Sequence, residues 1–146
     1  MALSGEFIAT SMLVQYEAPT STWNDIGTFV NEDSLSSSRG EAETTAHGTT
    51  ARTYIPGLKE HTYSFTLMHN NTNGYSTRPQ TVLEGYYTAG TSVSWRIRPN
   101  GTASGASQAV FTGFITSFET DFTADDQPVS TSVEIRITGD VTWSAQ

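Results

Sequence analysis

Apolar and polar residues alternate along much of this chain, and alternation is the signature of strands with one buried face. Tyr63, Phe65 and Leu67 alternate with Thr62, Ser64 and Thr66, which predicts a strand over 61–69. Val93, Trp95 and Ile97 alternate with Ser94, Arg96 and Arg98, and Val133, Ile135 and Ile137 with Glu134, Arg136 and Thr138. Weaker strand signals cover 7–16, 23–30 (interrupted at Asn24-Asp25) and 141–143. The longest run, 110–122, places Val110, Phe114, Phe118 and Phe122 on one parity and Phe111 and Ile115 on the other. A strand apolar on both sides is covered twice, under a helix or by another subunit, which makes Phe111 and Ile115 candidates for a subunit contact. One helix is predicted over 79–89, with Thr77 or Arg78 at its N-cap, Pro79 just inside, Val82, Leu83 and Tyr86 on one face, and Gly90 as its stop.

Turn chemistry fills the gaps. Glu17-Ala18-Pro19-Thr20-Ser21, Asn70 to Gly74, Pro99-Asn100-Gly101 and Ala124 to Pro128 all read as turns, and 102–108 as a Gly/Ser loop. Tyr54-Ile55-Pro56-Gly57-Leu58 fits a type II turn. The polar stretch 31–53 shows little strand rhythm and reads as a long loop. These elements make one mainly β domain spanning 1–146, a β-sandwich or incomplete barrel with one flanking helix.

Composition sharpens this. Ser and Thr make up 41 of the 146 residues, enough to cover a sheet face with neutral hydroxyls. Seven Lys and Arg against fifteen Asp and Glu leave a net charge of -8, the wrong sign for a protein that collects phosphates. The absence of cysteine removes disulfides, thiolate metal sites and cysteine nucleophiles. No apolar run approaches the roughly 18 residues of a membrane span, and the first residues lack the pattern of a secretory signal, so neither a membrane nor secretion is expected.

Candidate chemistry is sparse. His61 and His69 share one face of a predicted strand but stand too far apart to ligate one metal, and His47 is isolated. Asp121, Asp125 and Asp126 surround a turn without the ligand series of a calcium loop. No nucleophile elbow or phosphate-binding glycine motif occurs, and no carboxylate pair is singled out, so no enzyme, cofactor or metal is expected. Arg96 and Arg98, with Arg136 on another strand, are expected to pair with carboxylates such as Glu134 or Glu119, within the subunit or across an interface, with a phosphate site as the alternative reading. Trp23, Trp95 and Trp143 are possible sugar-stacking platforms; Trp95 belongs in the core by its neighbours, and Trp143 is the freest.

The order of pieces is more informative than any motif. Thr44-Thr45-Ala46-His47, 51–59 (Ala-Arg-Thr-Tyr-Ile-Pro-Gly-Leu-Lys) and Ser64-Phe65-Thr66-Leu67 precede the helix. After it come 90–98 (Gly-Thr-Ser-Val-Ser-Trp-Arg-Ile-Arg), Phe111-Thr112-Gly113-Phe114-Ile115 and 137–143 (Ile-Thr-Gly-Asp-Val-Thr-Trp). This order, from about Trp23 to Trp143, resembles the major tail tube proteins of long-tailed bacterial viruses. The resemblance implies a subunit that closes with five copies into a hexameric ring and completes a shared β-barrel. It also implies rings stacked into a tube that conducts viral DNA without binding it specifically. Tip or initiator, tape-measure and terminator proteins are the implied further partners, and the virion tail, assembled in the host cytoplasm, is the implied location.

On that reading Arg52, Tyr54, Ile55 and Leu58 form a bulky cluster that either joins neighbouring subunits or folds onto its own core. Glu119 and Glu134 are candidates for an acidic lumen that repels phosphates. A carbohydrate- or receptor-binding β-sandwich and a tail-completion ring of related fold are the alternatives.

Overall fold

The computed structural model describes residues 12–48, 50–69, 74–99, 101–102, 105–122 and 129–146. The strands are β1 (Leu13–Glu17), β2 (Trp23–Asp25), β3 (Val30–Glu43), β4 (Tyr54–Met68), β5 (Val93–Arg98), β6 (Ser107–Asp121) and β7 (Ser130–Ala145), with one helix, α1 (Pro79–Ala89), between β4 and β5. All seven of these strands join one antiparallel sheet in the order β2-β1-β5-β6-β7-β4-β3, which leaves β2 and β3 at its open edges among the described residues. The expected fold takes its incomplete-barrel form.

The sheet curls. β4 and β5 are separated by two strands, so side chains on a flat sheet would start about 14 Å apart. Phe65 on β4 and Trp95 on β5 nevertheless have ring centroids 6.1 Å apart, and Tyr63 lies 5.6 Å from Phe111 on β6. The concave face thus closes on an aromatic core of Tyr16, Tyr63, Phe65, Trp95 and Phe111, filled out by Val14, Leu67, Ile115, Val133, Ile135 and Ile137. α1 plugs one side of it with Leu83, which is wholly buried. Pro79 opens the helix without leaving an N–H orphaned. Gly90 ends it at φ 67°, returning its N–H to the Tyr86 carbonyl at 2.9 Å.

The structure corrects several expectations. Of the polar stretch 31–53 read as a loop, 31–43 belongs to β3 and the rest connects it to β4; the supposed turn at Tyr54–Leu58 is the first part of β4, so 30–68 is mostly one long hairpin. Neither arm alternates at its outer end because both of its faces are wet; its rhythm comes from backbone pairing alone. The expected strand 23–30 shrinks to β2, followed by a single 3-10 turn over Gly27–Phe29. The segments 133–138 and 141–143 are one strand, β7, carried past Gly139 by a bulge. Of the first predicted strand only the part from Leu13 lies in the described sheet, and Asn70 to Asn73, Asn100 and Ala124 to Pro128 lie outside the described residues.

The two-faced apolar run on β6 has a simple cause. Ile115 pairs with Ile135 but Ser117 pairs with Glu134, so Thr116 is an extra residue and every side chain beyond it changes face. Phe118 therefore joins Phe111 and Ile115 on the concave side and stacks on Tyr87 of α1 at 5.9 Å. Phe111 and Ile115 are 3% and 4% exposed within the subunit's own core, so they are not surface contacts.

Candidate functional site

The convex face of the sheet is built from the polar half of each alternation. Register places Glu32, Thr66, Ser132 and Glu119 in one row across β3, β4, β7 and β6. The next row is Ser34, Ser64, Glu134 and Ser117, and the one after it Ser36, Thr62, Arg136 and Phe114. Hydroxyls pair across strands, Ser34 with Ser64 at 3.1 Å and Ser94 with Thr112 at 3.4 Å, so the rows are tied together without charge. Glu32, Ser34, Ser64, Ser117 and Glu134 line a shallow groove of about 350 Å³. The two lumen candidates, Glu119 and Glu134, are thus exposed close neighbours on one face.

Arg96 and Arg98 project from the same face near its other end, and here the carboxylate pairing expected from the sequence is replaced. Arg96 donates from Nε to Gln15 Oε1 at 2.8 Å and lies over the Trp23 ring at 4.3 Å, while Arg98 donates to Gln108 Oε1 at 3.1 Å. Neutral amides and an aromatic face hold both guanidiniums in place, and the Glu17 carboxylate favours the charged form of Arg96 from nearby.

At that same end the sheet forks. β7 pairs with β4 only from Ser130 to Arg136, and beyond this point β7 continues with β6 while β4 continues with β3. The β3–β4 arm is exposed along its whole outer length, and it carries Tyr54 (48% exposed), Ile55 (53%) and Leu58 (88%). The cluster does not fold back onto its own core. Arg52, in the connection at the tip, pairs with Glu43 at 3.9 Å. Gly57 lies against Gly40, where a Cβ would stand 3.0 Å from the facing backbone, so the arm bends at a glycine pair.

A polar clasp closes the fork, with a cleft of about 470 Å³ beside it. Asp140, in the β7 bulge after Gly139 (φ 86°), accepts from Lys59 and from His61 Nε2 at 2.9 Å, and Ser37 Oγ meets His61 Nδ1 at 2.7 Å. The hydrogen bond from Lys59, then the Val141 N–H, holds the Asp140 carboxyl below the usual carboxylate range. The sequence shows His61 only as one of two distant histidines, because its partners are 24 and 79 residues away and only the bulge brings Asp140 to it. Its companion His69 bonds Thr131 Oγ1 at 2.6 Å, and burial holds it below the ordinary histidine range. Among the described residues no group of three or more metal-ligating side chains occurs; Asp125 and Asp126 lie outside them.

No family model and no curated protein matches the sequence. Solved structures do match in fold. A chain from the tail of an empty gene transfer agent (GTA) particle, refined with C6 symmetry, superposes with a TM-score of 0.77 at 11% identity, covering 96% of this chain and 100% of that one. A chain of the SPP1 tail tube gives 0.76 at 13% identity, covering 97% of this chain and 80% of the other. A chain from the tube-terminating cap of the anti-feeding prophage gives 0.74 at 12%, covering 100% and 95%. The curled open sheet with its single helix is the fold of tail-tube structures from phage, gene transfer agents and injection systems.

Proposed function

We propose that this chain is a structural subunit of a phage-like tail tube. Six copies close into a ring with their convex faces inward, and rings stack into a hollow conduit that passes DNA. The observation that carries this reading is the open sheet, packed on one face, wet with Ser, Thr and carboxylates on the other, and, among the described residues, unpaired at both edges. Such a sheet is half of a closed structure: joining β3 of one copy toward β2 of the next removes the exposed edges around a ring. The matched tail with C6 symmetry supports six as the number.

The wet face suits a lumen. Glu32, Glu119 and Glu134 repel phosphates, and the hydroxyl rows between them offer water-like contacts without trapped charge. Tyr54, Ile55, Leu58 and Arg52 on the exposed arm serve contacts between copies. Tip, tape-measure and terminator proteins are the further partners this role requires.

Negative-stain electron microscopy of the purified protein over a range of concentrations is the test. Hollow tubes are expected. Six-fold rings that never stack would instead assign a completion ring, and a monomer that persists at high concentration after prolonged standing, well past any lag, would overturn the assembly reading.

A further inference from the structure

The convex face does not look in one direction. β5 packs across the core from β4, with the Trp95 and Phe65 rings 6.1 Å apart. Side chains alternate along each strand, so Arg96 and Arg98 on β5 point away from that core on one side, and Thr62, Ser64 and Thr66 on β4 point away from it on the other. When the β3–β4–β7 part of the sheet lines a lumen, the β2–β1–β5 part therefore faces away from it. Register places Asp25, Gln15, Arg96 and Val110 in one row of that outward part, and Leu13 and Arg98 in the next.

Two guanidinium side chains thus leave alternate positions of one strand, about 7 Å apart along the backbone. Each donates its Nε to a neutral amide oxygen, Arg96 to Gln15 and Arg98 to Gln108. The terminal amino groups of both have no hydrogen-bond partner among the described residues. Trp23 backs the Arg96 guanidinium, and Gln108 donates in turn to Ser144 Oγ at 3.3 Å, so both forks are held in place. The nearby carboxylates are engaged with backbone: Asp25 Oδ1 accepts from the Val14 and Gly27 N–H groups at 3.2 and 2.9 Å, and Glu17 Oε2 from the Ser21 N–H at 2.9 Å. Burial and then the Arg98 guanidinium pull Arg96 below the ordinary arginine range, and Glu17 offsets this only in part. Two like charges therefore sit side by side with their outer donors unused, in a chain whose net charge is -8.

We propose that Arg96 and Arg98 form a clip for one phosphate dianion, held between the two guanidinium forks. A tetrahedral dianion meets both charges and accepts from the terminal N–H groups of both side chains, whereas a carboxylate brings one charge where two must be met. Glu17 and Asp25, in the flanking rows of β1 and β2, repel a run of successive phosphates. The clip therefore selects a compact dianion over a polyanionic strand and does not retain duplex DNA. Two sources carry this chemistry, free phosphate and a phosphate monoester at a lipid surface. The clip needs only the subunit; its outward placement rests on the tube reading.

Calorimetry of the free subunit with inorganic phosphate tests the clip, at constant ionic strength and mildly alkaline pH, where phosphate is a dianion. One phosphate per subunit is expected to bind. Arg98→Gln should weaken binding by about tenfold or more, and Arg98→Lys, which keeps the charge and loses the fork, by less. Glu17→Gln should tighten binding, a gain that no folding defect produces. Wild type that takes up no phosphate, or affinity unchanged in both Arg98 variants, overturns the clip. Assembled tubes and phosphatidylcholine vesicles with or without phosphatidic acid then separate the sources, since a vesicle cannot enter a lumen. Retention of tubes that needs phosphatidic acid and is lost in Arg98→Gln assigns the lipid monoester. Uptake of inorganic phosphate by tubes without vesicle retention assigns the free ion. Tubes that no longer take up phosphate although the free subunit does overturn the outward placement. Failure of the wild type to form tubes overturns the tube reading and leaves the clip standing.

Discussion

Asp140 does at the residue scale what the sheet cannot do with backbone pairing, since it ties two diverging arms through Lys59 and His61. Its pKa is lowered in the folded state, so its stabilising effect is present above the unfolded value near 3.9 and is lost as pH falls through the folded one. Denaturation of the wild type and of Asp140→Asn should therefore differ at pH 7, and the two curves should converge as pH falls below the folded value. Trp95 gives a second residue-scale prediction. Its ring is fully buried, yet Nε1 has no hydrogen-bond partner among the described residues. Trp95→Phe removes that orphaned donor, so it should cost far less than the ~3–5 kcal/mol expected for Trp95→Ala, by chemical denaturation. The alternation around Trp95 already marks it as core, whereas the clasp at Asp140 is invisible in sequence because it depends on a bulge and on contacts made across the fork.

Bulges decide the element scale. The extra residue at Thr116 lets β6 bury Ile115 and Phe118 on one side, although their sequence spacing puts them on opposite sides. A strict two-residue period has no place for such an insertion, so β6 reads as two-faced while β5, without a bulge, is legible from Val93 to Arg98. The helix is legible end to end because Pro79 and Gly90 mark it chemically. The hairpin arms are not, because a strand wet on both faces has no apolar rhythm to read. Close packing of β6 on β7 also leaves no room at Gly113, where a Cβ would meet the Arg136 carbonyl at 2.6 Å and Ile135 Cγ2 at 2.7 Å. Gly113→Ala should destabilise by about 1–3 kcal/mol in thermal or denaturant unfolding, as overpacking generally does. At the arm's bend, Gly57→Ala forces the facing strands apart and should reduce tube formation more than it reduces subunit stability.

For the whole molecule the net charge of -8 is informative because of where the carboxylates lie. Glu32, Glu119 and Glu134 are on the wet face, and this placement follows from strand parity once the bulge is known. Tubes of the wild type should not retain duplex DNA at physiological salt. Tubes of Glu134→Lys with Ser132→Lys should retain it, with a steep loss as salt rises, measured by co-sedimentation. The mainly β class, the single helix and the core aromatics were all accessible from pattern and composition. The fork needed register, which no single strand contains.

The exposed outer arm of β3 and β4 has a kinetic consequence. With no core packed on it, its outer ladder is held by backbone bonds and a few exposed side-chain ties, such as Arg52 with Glu43 and Arg39 with the Gly57 carbonyl, and should open readily in the free subunit. Ordering it fully is then a cost deferred to the moment another copy covers it. The first few copies bear that cost with few contacts in return, while a copy landing on a finished end receives its whole docking surface at once. Solutions of the subunit should therefore persist above their solubility threshold, show a lag, and convert rapidly when seeded with tube fragments.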